Sequence, residues 1–329
     1  MATNTSPTLE AASRLLLSSR HPLLVCHIAP DGDAVGSLTG LGQALQGMGH
    51  APVMVCSDPL PAALRFIPGA ALVAQQAEGP FDLVVALDCS DRERLGNLAQ
   101  AEGLAGLPLL NVDHHITNLQ FGTVNLVDAE ASSTAEVVLR LLDYIGAPLS
   151  TDVATSLLVG IVSDTRGFRT SNVTVEVFEA ALRLMRLGAS LPAIAQQALD
   201  RRPSSALRLW GAALSGLRVE DRLAWISIPL EMRRAAGYLG NGDAGLVSFL
   251  ISADEVDLAA VFVEREDGCI EVGLRAVPGF DVAQIALRLG GGGHALAAGC
   301  LLPGPLAEAQ SRVCTALREE LERRRQSHG

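Results

Sequence analysis

The chain contains no lysine, and all 25 of its basic residues are arginines. Chemistry that needs an ε-amine, from a Schiff base to the lysine of a P-loop, is thereby closed. Positive charge is also short overall. Thirty-six acidic residues against those 25 give a formal net charge of −11, the opposite of what coating long nucleic acid requires. A small anion held by a metal and a few arginines remains allowed. The six cysteines include no C-x-x-C pair, so a disulfide frame is not indicated. Cys26, Cys56 and Cys89 lie in or beside apolar strand-like runs and read as buried free thiols. No uncharged apolar stretch reaches the roughly 18 residues of a membrane span, and no basic segment precedes an apolar core near the N-terminus. A cytoplasmic protein with no membrane partner is expected. Aromatics make up only 4% against an apolar fraction of 49%, which leaves Ala, Leu and Val to build the core. At 329 residues the chain is long enough for two domains.

What is present is organised around Leu23-Leu-Val-Cys-His27-Ile-Ala-Pro-Asp31-Gly-Asp33-Ala-Val-Gly36-Ser37. The short Leu/Val run predicts a buried parallel strand. His27, Asp31 and Asp33 then fall in the loop at its carboxyl end, where open α/β sheets place their ligands, and a helix is expected from Gly36. Taken alone, this stretch reads equally well as a polar loop whose Asp caps the helix. Other strand ends carry the same residue types. The run 81–87 leads into Asp88, Cys89, Ser90 and Asp91, and 107–112 leads into Asp113-His114-His115.

Further elements complete the alternation that marks a parallel sheet. Residues 1–8 are polar and expected to fray. Helices are expected over 9–19, 38–48, 134–145, 152–162 and 173–186, with a strand over 52–56. The helix at 152–162 runs into Ser163-Asp164-Thr165. Residues 188–205, with Gly, Pro, Gln and Ser, read as a linker between domains over 1–187 and 206–329. The second domain restarts with a strand over 222–228, a hairpin of 256–264 and 269–275, and a helix over 281–289. Gly290-Gly-Gly-Gly293-His294 is read as lying between two apolar helices, and a charged helix over 306–325 closes the chain. The expected fold is α/β: a parallel-sheet domain with flanking helices, then a smaller α/β domain with a mixed sheet.

His27, Asp31, Asp33, Asp88, His114 and Asp164 together offer four carboxylates and two imidazoles. With no thiolate placed to join it, this set suits two divalent ions of the Mn²⁺ or Mg²⁺ kind better than Zn²⁺. Two such ions, at the usual separation of roughly 3.5–4 Å, can share a carboxylate and a hydroxide that attacks phosphorus in line. Asp88, from a central strand, is the candidate bridge. His21, His50 and His328 have no neighbours of ligand type and read as surface residues.

The motifs His27-x-x-x-Asp31-x-Asp33, Leu-Asp88-Cys-Ser-Asp, Val-Asp113-His114-His115, Ser163-Asp164-Thr165 and Gly290-Gly-Gly-Gly-His294 resemble those of the DHH phosphoesterase family. More specifically, they resemble the class that joins a DHH domain to a C-terminal DHH-associated domain. The resemblance implies one metal on His27, Asp31 and Asp88 and another on Asp33, Asp88, His114 and Asp164, with the active site in the cleft between domains. It implies two Mn²⁺ ions, for which Mg²⁺ or Co²⁺ can substitute. It places His115 beside the substrate phosphate and makes Asp113 a group orienting the histidines.

Within the family the arrangement is most similar to the bacterial nanoRNase and pAp phosphatase type, which removes mononucleotides from very short oligonucleotides. Relatives cleave cyclic di-AMP or its linear product. The partners implied are a short oligonucleotide or nucleotide phosphate and no long nucleic acid, and a homodimer is compatible with all of this. Arg275, Gly291, Gly292, Gly293 and His294 are the expected grip on the far end of the substrate, the glycines allowing backbone to approach phosphate closely. Gly273 and Ala276 stand beside Leu274-Arg275 where serines are common in the family. Arg166, where similar chains carry a small residue, reads either as a phosphate contact or as a solvated arginine. Ser132, Ser133 and Thr134 are candidate phosphate contacts too, although Ser133-Thr-Ala-Glu136 also fits a capping box. Three rivals are weighed. A manganese pyrophosphatase needs a C-terminal lysine signature that is absent. A long-strand exonuclease needs more chain and a basic surface. A non-catalytic cyclic-dinucleotide sensor has no need of six ligands.

Overall fold

Runs such as Leu83-Val-Val-Ala-Leu87 are apolar at every position, the pattern of a strand covered on both faces. In the computed structural model, which describes residues 7–100, 104, 106–240 and 242–327, they form a five-stranded sheet. Its strands are β1 (Pro22–Cys26), β2 (Val53–Val55), β3 (Leu83–Leu87), β4 (Leu109–Asp113) and β5 (Val124–Val127). Their order is β2-β1-β3-β4-β5, and every pairing is parallel. The chain therefore reverses its direction of winding between β1 and β3, and the crevice outside the carboxyl ends of those strands is where such sheets hold ligands.

Six helices belong to this unit: α1 (Pro7–Ser18), α2 (Gly32–Gly47), α3 (Thr134–Tyr144), α4 (Thr151–Asp164), α5 (Val175–Arg186) and α6 (Leu191–Ala195). Leu24, Cys26, Val85, Leu87, Leu110 and Val112 share a core with α1 to α4. The other face, with Leu23, Val25, Val84 and Ala86, packs on Leu95 and Leu98 of the 3₁₀ segment Glu93–Gln100. Thirteen of the sixteen residues of α2 are buried, as befits a helix without a polar face. Its glycines let it meet α4 almost backbone to backbone. A Cβ at Gly36 would lie 2.4 Å from the Ser156 carbonyl oxygen and 2.9 Å from the Gly160 nitrogen.

Helix α2 starts at Gly32, four residues before the expected Gly36. The cause is Asp31, whose Oδ1 accepts from the backbone N–H of Asp33 and of Ala34, both at 3.0 Å. It is an N-cap, and Asp33 belongs to the first helical turn rather than to a loop. Strand β5 was not expected. Within 188–205, read as a linker, α6 is followed by a π-helical turn, Gln196–Asp200, and Ala189 and Ile194 are buried in the first unit's core. The division into two compact units falls between Arg201 and Arg202.

The second unit comprises α7 (Ser204–Leu214), β6 (Arg218–Glu220), β7 (Leu223–Ile228), α8 (Leu230–Ala236), α9 (Leu246–Leu250), β8 (Leu258–Glu264), β9 (Cys269–Ala276), α10 (Val282–Arg288), β10 (Gly292–His294), β11 (Ala297–Pro303) and α11 (Leu306–Ser327). Its sheet runs β10-β11-β9-β8-β7-β6, antiparallel except for β7 with β8. The Gly-rich motif does not lie between two helices. It leads into β10, the first strand of a hairpin with β11, and two of its glycines stand where a side chain would not fit. A Cβ at Gly291 would fall 2.1 Å from the Gly299 carbonyl oxygen, and Gly293 has φ +137° with Ala298 Cα only 2.5 Å from any Cβ.

All six cysteines are free, and only Cys269 is less than fully buried. Among the described residues, no helix is long and apolar enough to cross a membrane. His21 is exposed. His50 is half-buried rather than a free surface group, its Nδ1 2.7 Å from the Ser19 carbonyl oxygen. Residues 1–6 and His328 lie outside the described residues.

Candidate active site

Three strand ends and two helix ends converge. His27 and Asp31 follow β1, Asp88 follows β3, and Asp113, His114 and His115 span the end of β4. Asp33 comes from the first turn of α2 and Asp164 from the last residue of α4. Ligand atoms of three sets lie within 4.8 Å of one another: His27, Asp31 and Asp88; Asp33, His114 and Asp164; Asp88, His114 and His115. All six residues expected as metal ligands occur in these sets. Asp88 joins two of them. His115, expected beside the substrate, completes the third.

Asp88 has φ +60°, a left-handed conformation that aspartate and asparagine tolerate better than most residues. It is 2% exposed, and its Oδ1 accepts from the Thr134 hydroxyl at 2.7 Å. Asp33, 1% exposed, accepts from the N–H of Thr134 at 2.7 Å and of Ala135 at 3.0 Å. The N-terminus of α3 thus cradles one carboxylate, while a side chain of its first turn steadies another. The sequence offers Thr134 only as a possible phosphate contact beside Ser132 and Ser133, not as a partner of these carboxylates. Nothing in the sequence ties position 134 to positions 33 and 88.

The donor set fits divalent metal. Nδ1 of His27 is 2.7 Å from the Ile28 carbonyl oxygen. A carbonyl only accepts, so this nitrogen carries the proton and the Nε2 lone pair is turned inward. That Nε2 stands 3.4 Å from Asp88 Oδ2 and 3.9 Å from Asp31 Oδ1. His114 repeats the pattern, with Nδ1 3.4 Å from the Ala131 carbonyl oxygen and Nε2 3.4 Å from Asp164 Oδ2. Lone pairs facing carboxylate oxygens call for a cation between them.

The proton affinities carry the same message. Burial, then the charges of Asp88, Asp164 and Asp31, push the Asp33 carboxyl well up. Burial also lifts Asp164 to about 6, against the pull of His114. Asp88 is held well below the ordinary carboxylate range despite its burial, because His27, His115 and His114 surround it. Bound divalent cations keep such carboxylates ionised and imidazoles neutral.

His115 is set apart by its hydrogen bond. Its Nδ1 is 2.7 Å from Asp113 Oδ1 and 3.6 Å from Asp88 Oδ1. Burial disfavours the charged ring, but the bond to Asp113 and the charge of Asp88 raise it to about 9. Asp113 is fully buried, and its Oδ2 accepts from Asn118 Nδ2 at 2.6 Å. That amide also reaches Asn111 Oδ1 at 2.8 Å and the Cys89 carbonyl oxygen at 3.0 Å. Asp113 therefore orients one histidine of the pair, His115, while His114 leans on backbone. Asn111 was legible as the lone polar residue inside an apolar strand; Asn118 gave no signal.

The expected substrate residues are placed differently. Ser133 is buried, and its hydroxyl accepts from the Glu136 N–H at 3.2 Å. Glu136 Oε2 in turn accepts from the Ser132 N–H at 2.7 Å, so this stretch works as a cap. Arg166 is exposed, in a left-handed conformation (φ +50°) on the turn after α4. In the second unit, Arg275 pairs laterally with Ala297, and Ala297 pairs with His294. Directly opposed residues share a face, so Arg275 and His294 stand in one row on either side of a methyl group. Gly273, Gly299 and Gly292 form the adjacent row. The Arg275 guanidinium is oriented by Nε to Ser248 Oγ at 3.2 Å and Nη1 to the Leu274 carbonyl oxygen at 2.8 Å. Gly291 and Gly293 are occupied in packing against β11, whereas a Cβ at Gly292 would meet nothing.

Gly160 of α4 leaves room for the buried carboxylate, since a Cβ there would lie 2.6 Å from Asp33 Oδ1 and 2.5 Å from Ala135 Cβ. We expect Gly160→Ala to fold with a loss of about 1–3 kcal/mol from overpacking. Displacement of Asp33 should weaken divalent metal binding by roughly ten- to hundredfold. Thermal unfolding and Mn²⁺ titration check the two effects separately. Unchanged metal affinity would remove Asp33 from the metal site.

Comparison with known proteins follows the same division of the chain. Residues 23–161 match the DHH family N-terminal domain and residues 235–323 match the DHHA1 domain. The bifunctional oligoribonuclease and PAP phosphatase of Thermus thermophilus is 34% identical over 321 residues, covering 96% of this chain and 95% of that protein. The protein of the same description from Bacillus subtilis is 28% identical, covering 83% and 86%. A crystal structure of an exopolyphosphatase-related protein from Bacteroides fragilis superposes with a TM-score of 0.89 at 24% identity, over 98% of each chain, and shows the same fold. Shared domains, near full-length similarity and the strand-end cluster lead to one conclusion: the chain is a member of the DHH family, carrying a DHH domain followed by a DHHA1 domain.

Proposed function

We propose that this protein is a manganese-dependent phosphodiesterase and phosphatase. Its substrates are very short oligonucleotides, hydrolysed to mononucleotides, and 3′,5′-bisphosphorylated adenosine (pAp), hydrolysed to AMP. The observation that carries this reading is the set of overlapping carboxylate and imidazole groups joined through Asp88. The activities named for the Thermus thermophilus and Bacillus subtilis relatives support it. His27, Asp31 and Asp88 would hold one ion, and Asp33, Asp88, His114 and Asp164 the other. Carboxylate and imidazole without thiolate favour manganese over zinc. With both ions bound, the site gains Lewis acidity and a water of lowered pKa.

The chain's own residues supply the rest. Asp113, steadied by Asn118, holds the Nδ1 proton of His115. The Nε2 of His115 is thereby presented to the substrate, to donate a hydrogen bond to a phosphoryl oxygen and a proton to the leaving oxygen. Hydrogen bonds from Thr134 keep Asp33 and Asp88 from turning away. Arg275 and His294 bind the part of the substrate remote from the scissile phosphate. Arg166 is a further phosphate contact.

Product analysis with Mn²⁺ on a panel of di- to pentanucleotides, a 25-mer, pAp, cyclic di-AMP and linear pApA tests this reading. Few arginines lie near the motifs and the net charge is −11, so a long polyanion gains little extra binding. Turnover of a 5-mer should exceed that of a 25-mer by at least about tenfold. Equal rates on both would overturn the short-substrate assignment. Cyclic di-AMP as the best substrate would replace it with a cyclic-dinucleotide phosphodiesterase.

A further inference from the structure

Arg94 has a firm mount and an unmatched charge. It sits in the 3₁₀ segment Glu93–Gln100. Its backbone N–H donates to Asp91 Oδ1 at 3.0 Å, and its carbonyl oxygen accepts at 2.9 Å from the N–H of Ile28, the residue after His27. The Ser57 hydroxyl lies 2.8 Å from the Leu95 carbonyl oxygen and 2.7 Å from Asn97 Oδ1. A Cβ at Gly96 would come within 2.7 Å of Ile28 Cγ2 and 2.8 Å of Ser57 Cβ. The segment is therefore fitted closely to the loop after β1.

The side chain is not matched in the same way. Its Nε is buried with no hydrogen-bond partner, and among the described residues no carboxylate pairs with its guanidinium. Asp91, the acid nearest in sequence, is engaged by the Arg94 backbone and the Ser90 hydroxyl. The Arg94 charge is close enough to be felt at His27, His115 and Cys89. A half-buried guanidinium among imidazoles and thiol, with no acid of its own, is costly unless an anion joins it.

Charge counting names that anion. Asp31, Asp33, Asp88 and Asp164 balance two divalent ions, and Asp113 balances a protonated His115. Arg94 remains, with one positive charge against the single negative charge of a phosphodiester. Guanidinium is also the side-chain group that best matches phosphate oxygens. We infer that Arg94 is a phosphate-binding residue of the first unit, its guanidinium holding an oxygen of the scissile group near His115. The inference deepens the function proposed above and rests on its two metal ions. Arg275 and His294 hold a remote end, whereas Arg94 holds the reacting group itself.

Arg94→Ala tests this in the manganese-loaded full-length chain, beside wild type. Hydrolysis of a dinucleotide and of bis-p-nitrophenyl phosphate should fall alike, by about ten- to hundredfold, with bound manganese unchanged. Millimolar guanidinium ion should restore part of the loss, and urea, of similar shape but neutral, should not. A residue that only supports the fold gives no such difference. Calorimetric titration with inorganic phosphate, Mg²⁺ replacing Mn²⁺, should show binding about tenfold weaker in Arg94→Ala. That measurement needs no turnover. If wild type hydrolyses neither substrate, yet phosphate binding still depends on Arg94, the proposed function falls and the phosphate site stands. Activity within about threefold of wild type on both substrates overturns the inference, as does phosphate binding indifferent to the change. A fall on the dinucleotide alone moves Arg94 to the remote grip, and a loss that guanidinium does not relieve makes it structural. Either result also overturns it.

Discussion

Asp88→Asn should reduce turnover of a dinucleotide by roughly a thousandfold or more, the scale of losing a preorganised charged group from a reacting site. It should also lower the manganese retained after dialysis. Asparagine is the informative replacement because residue 88 has φ +60°. Alanine would add backbone strain there, and a loss of activity would then have two causes. Asparagine keeps the size, the tolerated conformation and an oxygen for the Thr134 hydroxyl. What it removes is the charge common to the set with His27 and Asp31 and the set with His114 and His115. Asp31→Asn, which touches only one set, should cost less activity and less bound metal. Asp88→Asn within tenfold of wild type would sink the assignment of a shared ligand.

Arg275→Ala and His294→Ala should leave metal content unchanged while cutting dinucleotide hydrolysis roughly ten- to hundredfold. That is the usual cost of about 1.5–3 kcal/mol for one charge-assisted contact that positions a substrate. Neither residue belongs to a metal-type cluster, and both lie in the unit that begins at Arg202. A small activated diester such as bis-p-nitrophenyl phosphate has no remote end to hold, so its hydrolysis should fall far less. The quantity to measure is the ratio of the two activities in wild type and in each variant. An equal fall on both substrates would place these residues in the chemistry or the fold and end the proposed division of labour.

Much of this was legible in residue order because strand ends announce themselves. An apolar run that stops at His27, at Asp88 or at Asp113 reports both a buried strand and the group at its mouth. Periodicity could not say where α2 begins, since Gly32 and Asp33 look like loop residues until Asp31 is seen capping them. Strand β5, four residues with an asparagine among them, is too short to carry a pattern. The Gly-rich motif was misread for a related reason. A run of glycines has no periodicity of its own, and its strand character comes from β11, whose burial alternates. The carboxylate contacts of Thr134 and Asn118 were out of reach for a different reason. Their roles rest on contacts across 46 residues of chain to Asp88 and on a hydrogen bond within a loop to Asp113. Neither contact leaves a spacing to find.

The row of Gly273, Gly299 and Gly292 beside Ala297 has a consequence for what the second domain is able to read. The peptide groups of β11 are spent on its two neighbouring strands, and the Gly273 end of the row lies under Val247 of α9, whose Cγ1 is 3.5 Å from where a Cβ would stand. On the function proposed above, a nucleobase laid over Gly292 would meet backbone and the Ala297 methyl group, and it would meet the same ones whichever of the four bases it is. Such a floor has no alphabet. If the second unit grips the substrate as proposed, it would register whether a portion extends past the scissile bond and ends in a negative charge, while remaining blind to the letters.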